Sequence, residues 1–125
     1  RMDNQSRVQP FIQSHPIGGG LGSTGVWGKR FTPNSWLASF AHDSIYVRIA
    51  VEAGYIGLII YMLLIFAALR TGIYYFFRVK DPEIKSFYLA VTTVVFMLAV
   101  ANYPQEAVTL PPTSMIFYVF LALLV

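Results

Sequence analysis

The chain has 125 residues, 56% of them hydrophobic and 12% charged, where a soluble domain carries roughly a quarter charged residues. This departs from a soluble domain and implies an integral membrane protein. There is no cysteine, which excludes a disulfide, a thiolate nucleophile and a thiolate metal site within these residues. A net charge of +3 carries no nucleic-acid signal.

Residues 1–14 are polar with scattered apolar side chains, Met2, Val8, Phe11 and Ile12. They suit a short amphipathic helix on a membrane surface, which Pro10 is expected to interrupt unless a helix starts near it. No apolar core of a signal peptide occurs between Arg1 and Ile12. His15-Pro16-Ile17-Gly18-Gly19-Gly20-Leu21-Gly22-Ser23-Thr24-Gly25 reads as a glycine-rich loop. Its last six residues match G-x-G-x-x-G, but a dinucleotide site needs a strand before them and a helix after, and the flanking residues suit neither. Residues 26–40 mix Trp27, Phe31, Trp36 and Phe40 with Lys29 and Arg30, and Pro33-Asn34-Ser35 marks a turn. This segment reads as an interfacial loop with tryptophans at headgroup depth. In the alternative reading, Lys29 or Arg30 holds an anionic lipid-linked substrate.

A helix is expected to begin near His42, with Ser39 or Asp43 serving its first turn. Its head carries His42, Asp43, Arg48 and Glu52; from Ala53 to Leu69 it has no charge. That uncharged run, about 17 residues, is the lower edge of a bilayer span. Because ionisable groups are costly in hydrocarbon, the head of this helix should stand in water. Arg48 and Glu52, four apart, suit an ion pair on one helix face. Gly54 and Gly57 suit close helix packing. Arg70 ends the uncharged run, and Tyr74 to Phe77 read as an aromatic belt.

The connector Arg78-Val79-Lys80-Asp81-Pro82-Glu83-Ile84-Lys85 is short and polar, and an uncharged second span follows from Ser86 to about Tyr103. A third apolar stretch starts near Ser114 and continues to Val125, so the sequence reads as a piece of a longer chain. Four basic residues, Arg70, Arg78, Lys80 and Lys85, gather at one end of the two spans. Positive charge beside spans stays cytoplasmic, which puts the His42 loop outside. The expected fold is an all-α integral membrane protein of about three transmembrane helices, residues 45–125, preceded by an irregular external loop region with short helices, residues 1–44.

His42-Asp43 with Tyr46 a turn later, then Glu52-x-Gly54-x-x-Gly57-Leu58 running into a span, resembles the O-antigen ligase and polymerase family. His15-Pro16-Ile17-Gly18-Gly19-Gly20-Leu21-Gly22 is similar to that family's His-Pro-x-x-Gly-x-Gly segment, and Arg1 stands where the family usually has an arginine. The resemblance covers residues 1–77. Asp43 departs from it, since that position is often Asn. It implies a multi-span bacterial inner-membrane glycosyltransferase, independent of metal and without a cofactor, whose active loop faces the periplasm. Such an enzyme moves a glycan from an undecaprenyl-diphosphate carrier to a lipid or glycan acceptor. A non-enzymatic membrane anchor or assembly subunit and a transporter fragment are the alternatives.

In such a reaction the diphosphate charge must be held as the glycosidic bond breaks, and arginine does this with bidentate contacts. Arg1 is the first choice, with Arg7, Arg30 and Lys29 as further diphosphate or glycan contacts. His42 is the candidate base for the acceptor hydroxyl, or a cation on the diphosphate; the sequence leaves both roles open. Asp43, Arg48, Glu52, Gly54 and Gly57 are read as orienting or structural, and no metal site is expected.

Overall fold

The computed structural model describes residues 2–40, 42, 44–104 and 111–124, and side chains from residue 6 onward. The described residues form six α-helices and one 3₁₀ turn, with no strand among them. The helices are α1 (Met2–Ser14), α2 (Gly25–Phe31), α3 (Ile45–Glu52), α4 (Gly54–Arg78), α5 (Pro82–Ala101) and α6 (Thr113–Leu124), with the 3₁₀ turn at Trp36–Ser39. By compactness the chain divides into residues 1–60 and 61–125.

In the first unit, Val8 of α1, Leu37 of the 3₁₀ turn and Val51 of α3 are buried together, with Phe11, Ile12, Phe40 and Val47 packed around them. Val8, Phe11 and Ile12 recur at helical spacing, so burial of one α1 face holds the helix. That face explains why Pro10 lies inside α1 rather than ending it, with Pro10 itself exposed. The expected turn at residues 33–35 is present, closed by the Ser35 amide donating to the Thr32 carbonyl at 3.0 Å.

The helix expected to run unbroken from His42 into the apolar stretch is instead two helices. The first starts at Ile45, with Ser44 at the N-cap position. Ser39 takes no part in capping it: it belongs to the 3₁₀ turn, where its hydroxyl donates to the Trp36 carbonyl at 2.9 Å. The chain then breaks between Glu52 and Gly54, where Gly54 has φ +68°, a conformation costly to any residue with a Cβ. Gly57 lies one turn further on, and a Cβ there would sit 2.3 Å from the Ala53 methyl. These glycines therefore permit a sharp junction; at Gly54 the close neighbour is a loop rather than another helix.

The long apolar helices lie largely in the second unit, although α4 begins in the first. With a rise of about 1.5 Å per residue, the 25 residues of α4 span roughly 37 Å and the 20 of α5 roughly 30 Å. Both are long and apolar enough to cross a membrane. Only 17% and 11% of their most apolar windows are buried, so the described residues do not enclose either as a core helix. Arg70 does not end α4, which continues through the aromatic belt to Arg78. Pro82 occupies the first turn of α5, and Asp81 caps it by accepting from the Glu83 amide at 3.0 Å. Against α5 packs α6, an apolar helix of 12 residues, shorter than a span, which buries Phe117, Leu121 and Leu124.

Candidate functional site

The glycine-rich segment is a cap on the end of α3. A helix leaves its last carbonyls without partners, and here the loop supplies them. The Gly19 amide donates to the Val51 carbonyl at 2.8 Å, and the Gly20 amide donates to the Glu52 carbonyl at 3.0 Å. The approach is backbone to backbone. A Cβ on Gly18 would lie 2.6 Å from the Glu52 carbonyl carbon and oxygen, and one on Gly54 would lie 2.0 Å from the Pro16 oxygen. Side chains at either position would push the two segments apart.

A side-chain network adds to this junction. Glu52 is 8% exposed. Its Oε1 accepts from the hydroxyl of Thr24, itself fully buried. The same oxygen meets Arg48 Nε at 3.3 Å, the ion pair expected from the four-residue spacing. A buried carboxylate needs such partners to stay charged at tolerable cost. Glu52 thereby ties α3 to the loop.

His42 lies on the other side of the same loop. Its ring meets Phe40 edge-on, with centroids 5.6 Å apart, and its Cε1 lies over Gly25, where an added Cβ would come within 3.7 Å. Residues 24 and 25 therefore face Glu52 and His42 respectively. The His42 Nε2 is shielded from solvent, and the residue is half-buried.

The cationic candidates are more dispersed. Arg7 is exposed on α1, and Lys29 and Arg30 are exposed on α2. Arg30 stands 6.0 Å from the ring centres of both Trp27 and Phe31, which stack on each other. Arg1 and Asp43 lie outside the described residues. His15 stacks on Phe11 at 4.3 Å, and its Nδ1 lies 2.8 Å from the Ser14 hydroxyl, a local structural role. The G-x-G-x-x-G match carries no nucleotide fold: the loop follows α1 and opens a helix of only seven residues. No group of three or more metal-ligand side chains occurs among the described residues.

Two contributors were given no site role in the sequence reading. Thr24 was legible only as one small polar residue in a glycine-rich run, and no spacing rule marks it as the partner of a glutamate 28 positions away. Tyr46, on α3, is the other. Burial raises its phenol pKa above the ordinary value. It borders a cleft of about 380 Å³ with Val8, Ile12, Val47, Tyr55 and Leu58.

Comparison with family models, curated proteins and solved structures finds no match to this chain.

Proposed function

We propose that this chain is the C-terminal part of a bacterial inner-membrane glycosyltransferase of the O-antigen ligase or polymerase type. It takes a glycan from an undecaprenyl-diphosphate donor and passes it to a lipid or glycan acceptor on the periplasmic side. One observation carries this reading. The sequence elements that suggested the resemblance, His15 to Gly20 and Glu52-x-Gly54, lie far apart in sequence but meet at one junction, and the continuation of the same loop reaches Glu52 through Thr24 and His42 through Gly25. A fixed loop amide frame, a structural Arg48–Glu52 pair and a neighbouring imidazole form a preorganised polar site at the head of a helix suited to crossing a membrane.

In this reading the imidazole of His42 takes the proton of the acceptor hydroxyl as that oxygen attacks the anomeric carbon. The bond to the diphosphate breaks, and arginines, Arg1 first and then Arg7 and Arg30, hold the departing charge. Glu52 keeps Arg48 and Thr24 in register and leaves the proton transfer to His42. The connector from Arg78 to Lys85 stays cytoplasmic by its positive charge, which sets the site on the opposite side.

The test is glycan transfer in membranes carrying full-length His42→Ala, with protein amount measured in the same membranes. Transfer is expected to fall by about 10²–10⁴-fold, the range for losing a positioned acid–base group, at unchanged protein level. Undiminished transfer overturns the reading. Tolerance of substitution at Arg1, His42 and Glu52 alike would favour a non-enzymatic anchor.

A further inference from the structure

Arg70 is the one charge placed inside the apolar length of α4, eight residues or about 12 Å short of the helix end at Arg78. It is exposed, and no carboxylate among the described residues pairs with it. It lines a groove between α4 and α5 of about 700 Å³, together with Phe66, Ile73, Tyr74, Thr92 and Phe96. That volume falls in the roughly 300–1,000 Å³ of ligand sites. The groove is built by close packing beside it. Gly72 lies so near α5 that a Cβ would reach 2.1 Å from Thr92 Oγ1, and Tyr75 stacks on Tyr88 at 5.5 Å.

Two of the other cations at this end, Arg78 and Lys85, are already engaged by aromatic rings. Arg78 donates to the Tyr74 hydroxyl and covers its ring, and Lys85 Nζ sits 4.9 Å from the centre of Phe76. The Tyr74 phenol accepts from Arg78, so its own hydrogen remains to donate. Thr92 Oγ1 is buried without a hydrogen-bond partner. The groove therefore offers one guanidinium and one phenolic O–H at its rim, above an apolar floor. An arginine at the edge of hydrocarbon needs an anion or water to stay charged, and in a bilayer the available anions at that depth are lipid phosphates.

We propose that this groove binds an anionic diacyl phospholipid of the leaflet at the connector end of α4. Its phosphate sits on Arg70 and the Tyr74 hydroxyl, and an acyl chain lies along Phe66, Ile73 and Phe96. This site rests on α4 and α5 crossing the bilayer and does not depend on glycan transfer. Arg70 and Tyr74 take no part in the proposed glycan chemistry, so loss of one site leaves the other measurable.

The experiment uses the full-length protein, stripped of lipid in detergent and reconstituted with equal phosphatidylglycerol and phosphatidylethanolamine of identical acyl chains. Tightly retained lipid is counted by native mass spectrometry. The wild type is expected to retain phosphatidylglycerol about five-fold over phosphatidylethanolamine, the contribution of one cation near an anionic headgroup. Arg70→Gln should bring the ratio to about one, and Arg70→Lys should keep most of it. A phosphatidylglycerol with a photoreactive acyl chain should label residues 66–74 and 92–96. Equal retention of both lipids by the wild type, a preference unchanged in Arg70→Gln, or absence of label because another helix fills the groove would each overturn the proposal.

Discussion

Substituting Gly54 by alanine tests the junction that organises the candidate site. Gly54 has φ +68°, and its Cβ would stand 2.0 Å from the Pro16 oxygen and 2.7 Å from the Gly18 amide nitrogen. The left-handed backbone alone costs an alanine about 1–2 kcal/mol. Ordinary contact requires about 3.5 Å, so the loop must also retreat by more than an ångström. That retreat breaks the bonds from Gly19 to Val51 and from Gly20 to Glu52, 2.8 and 3.0 Å long, worth about 1 kcal/mol each. The local loss is about 3–4 kcal/mol, confined to residues 15–24 and the end of α3. Amide hydrogen exchange at Gly19 and Gly20 in the full-length protein should accelerate by at least about 10², at 1.4 kcal/mol per tenfold. Exchange in α5 should be unaffected. Ile17→Ala, on the same loop but exposed, should change stability by no more than about 0.5 kcal/mol. Unaltered exchange at Gly19 and Gly20 in Gly54→Ala would refute the claim that the loop caps α3.

The remaining predictions concern single interactions. Thr24→Val should destabilise the first unit by about 1–3 kcal/mol in thermal melts, since it takes a hydrogen bond from a buried carboxylate; Glu52→Gln, which keeps an acceptor for Thr24, should cost less than Glu52→Ala. Asp81→Ala should cost about 1 kcal/mol by removing the cap on α5, while Asp81→Asn should be close to neutral. Burial raises the Tyr46 phenol pKa, so the unfolded chain loses that proton first as pH rises. Stability from this group is therefore complete below about pH 10 and declines above it, and Tyr46→Phe should flatten that decline in melts taken across alkaline pH.

The long helices were readable because their signal is simple: an uncharged apolar run followed by a basic connector and a second run. The Arg48–Glu52 pair was readable from spacing alone. The break at Gly54 was not. A lone glycine in a helical pattern is tolerated, and the residue that demands its backbone form, Pro16, is 38 positions earlier. Pro10 misled in the opposite direction, because a buried apolar face on α1 outweighs one missing amide. Arg70 ends the uncharged run without ending the helix, since an arginine with its aliphatic stem along apolar surface is compatible with continuation to Arg78. The junction of the glycine-rich loop with α3 depends on backbone-to-backbone contact, which no side-chain pattern records.

The most direct measurement is release of undecaprenyl diphosphate by the purified full-length protein, given an undecaprenyl-diphosphate-linked glycan and an acceptor, with chelator present throughout. The account predicts release coupled to glycan transfer by the wild type, and a loss of about 10²-fold or more in His42→Ala with the fold of the first unit retained. Equal release by the two proteins, or none by the wild type with any lipid-linked glycan, would contradict it.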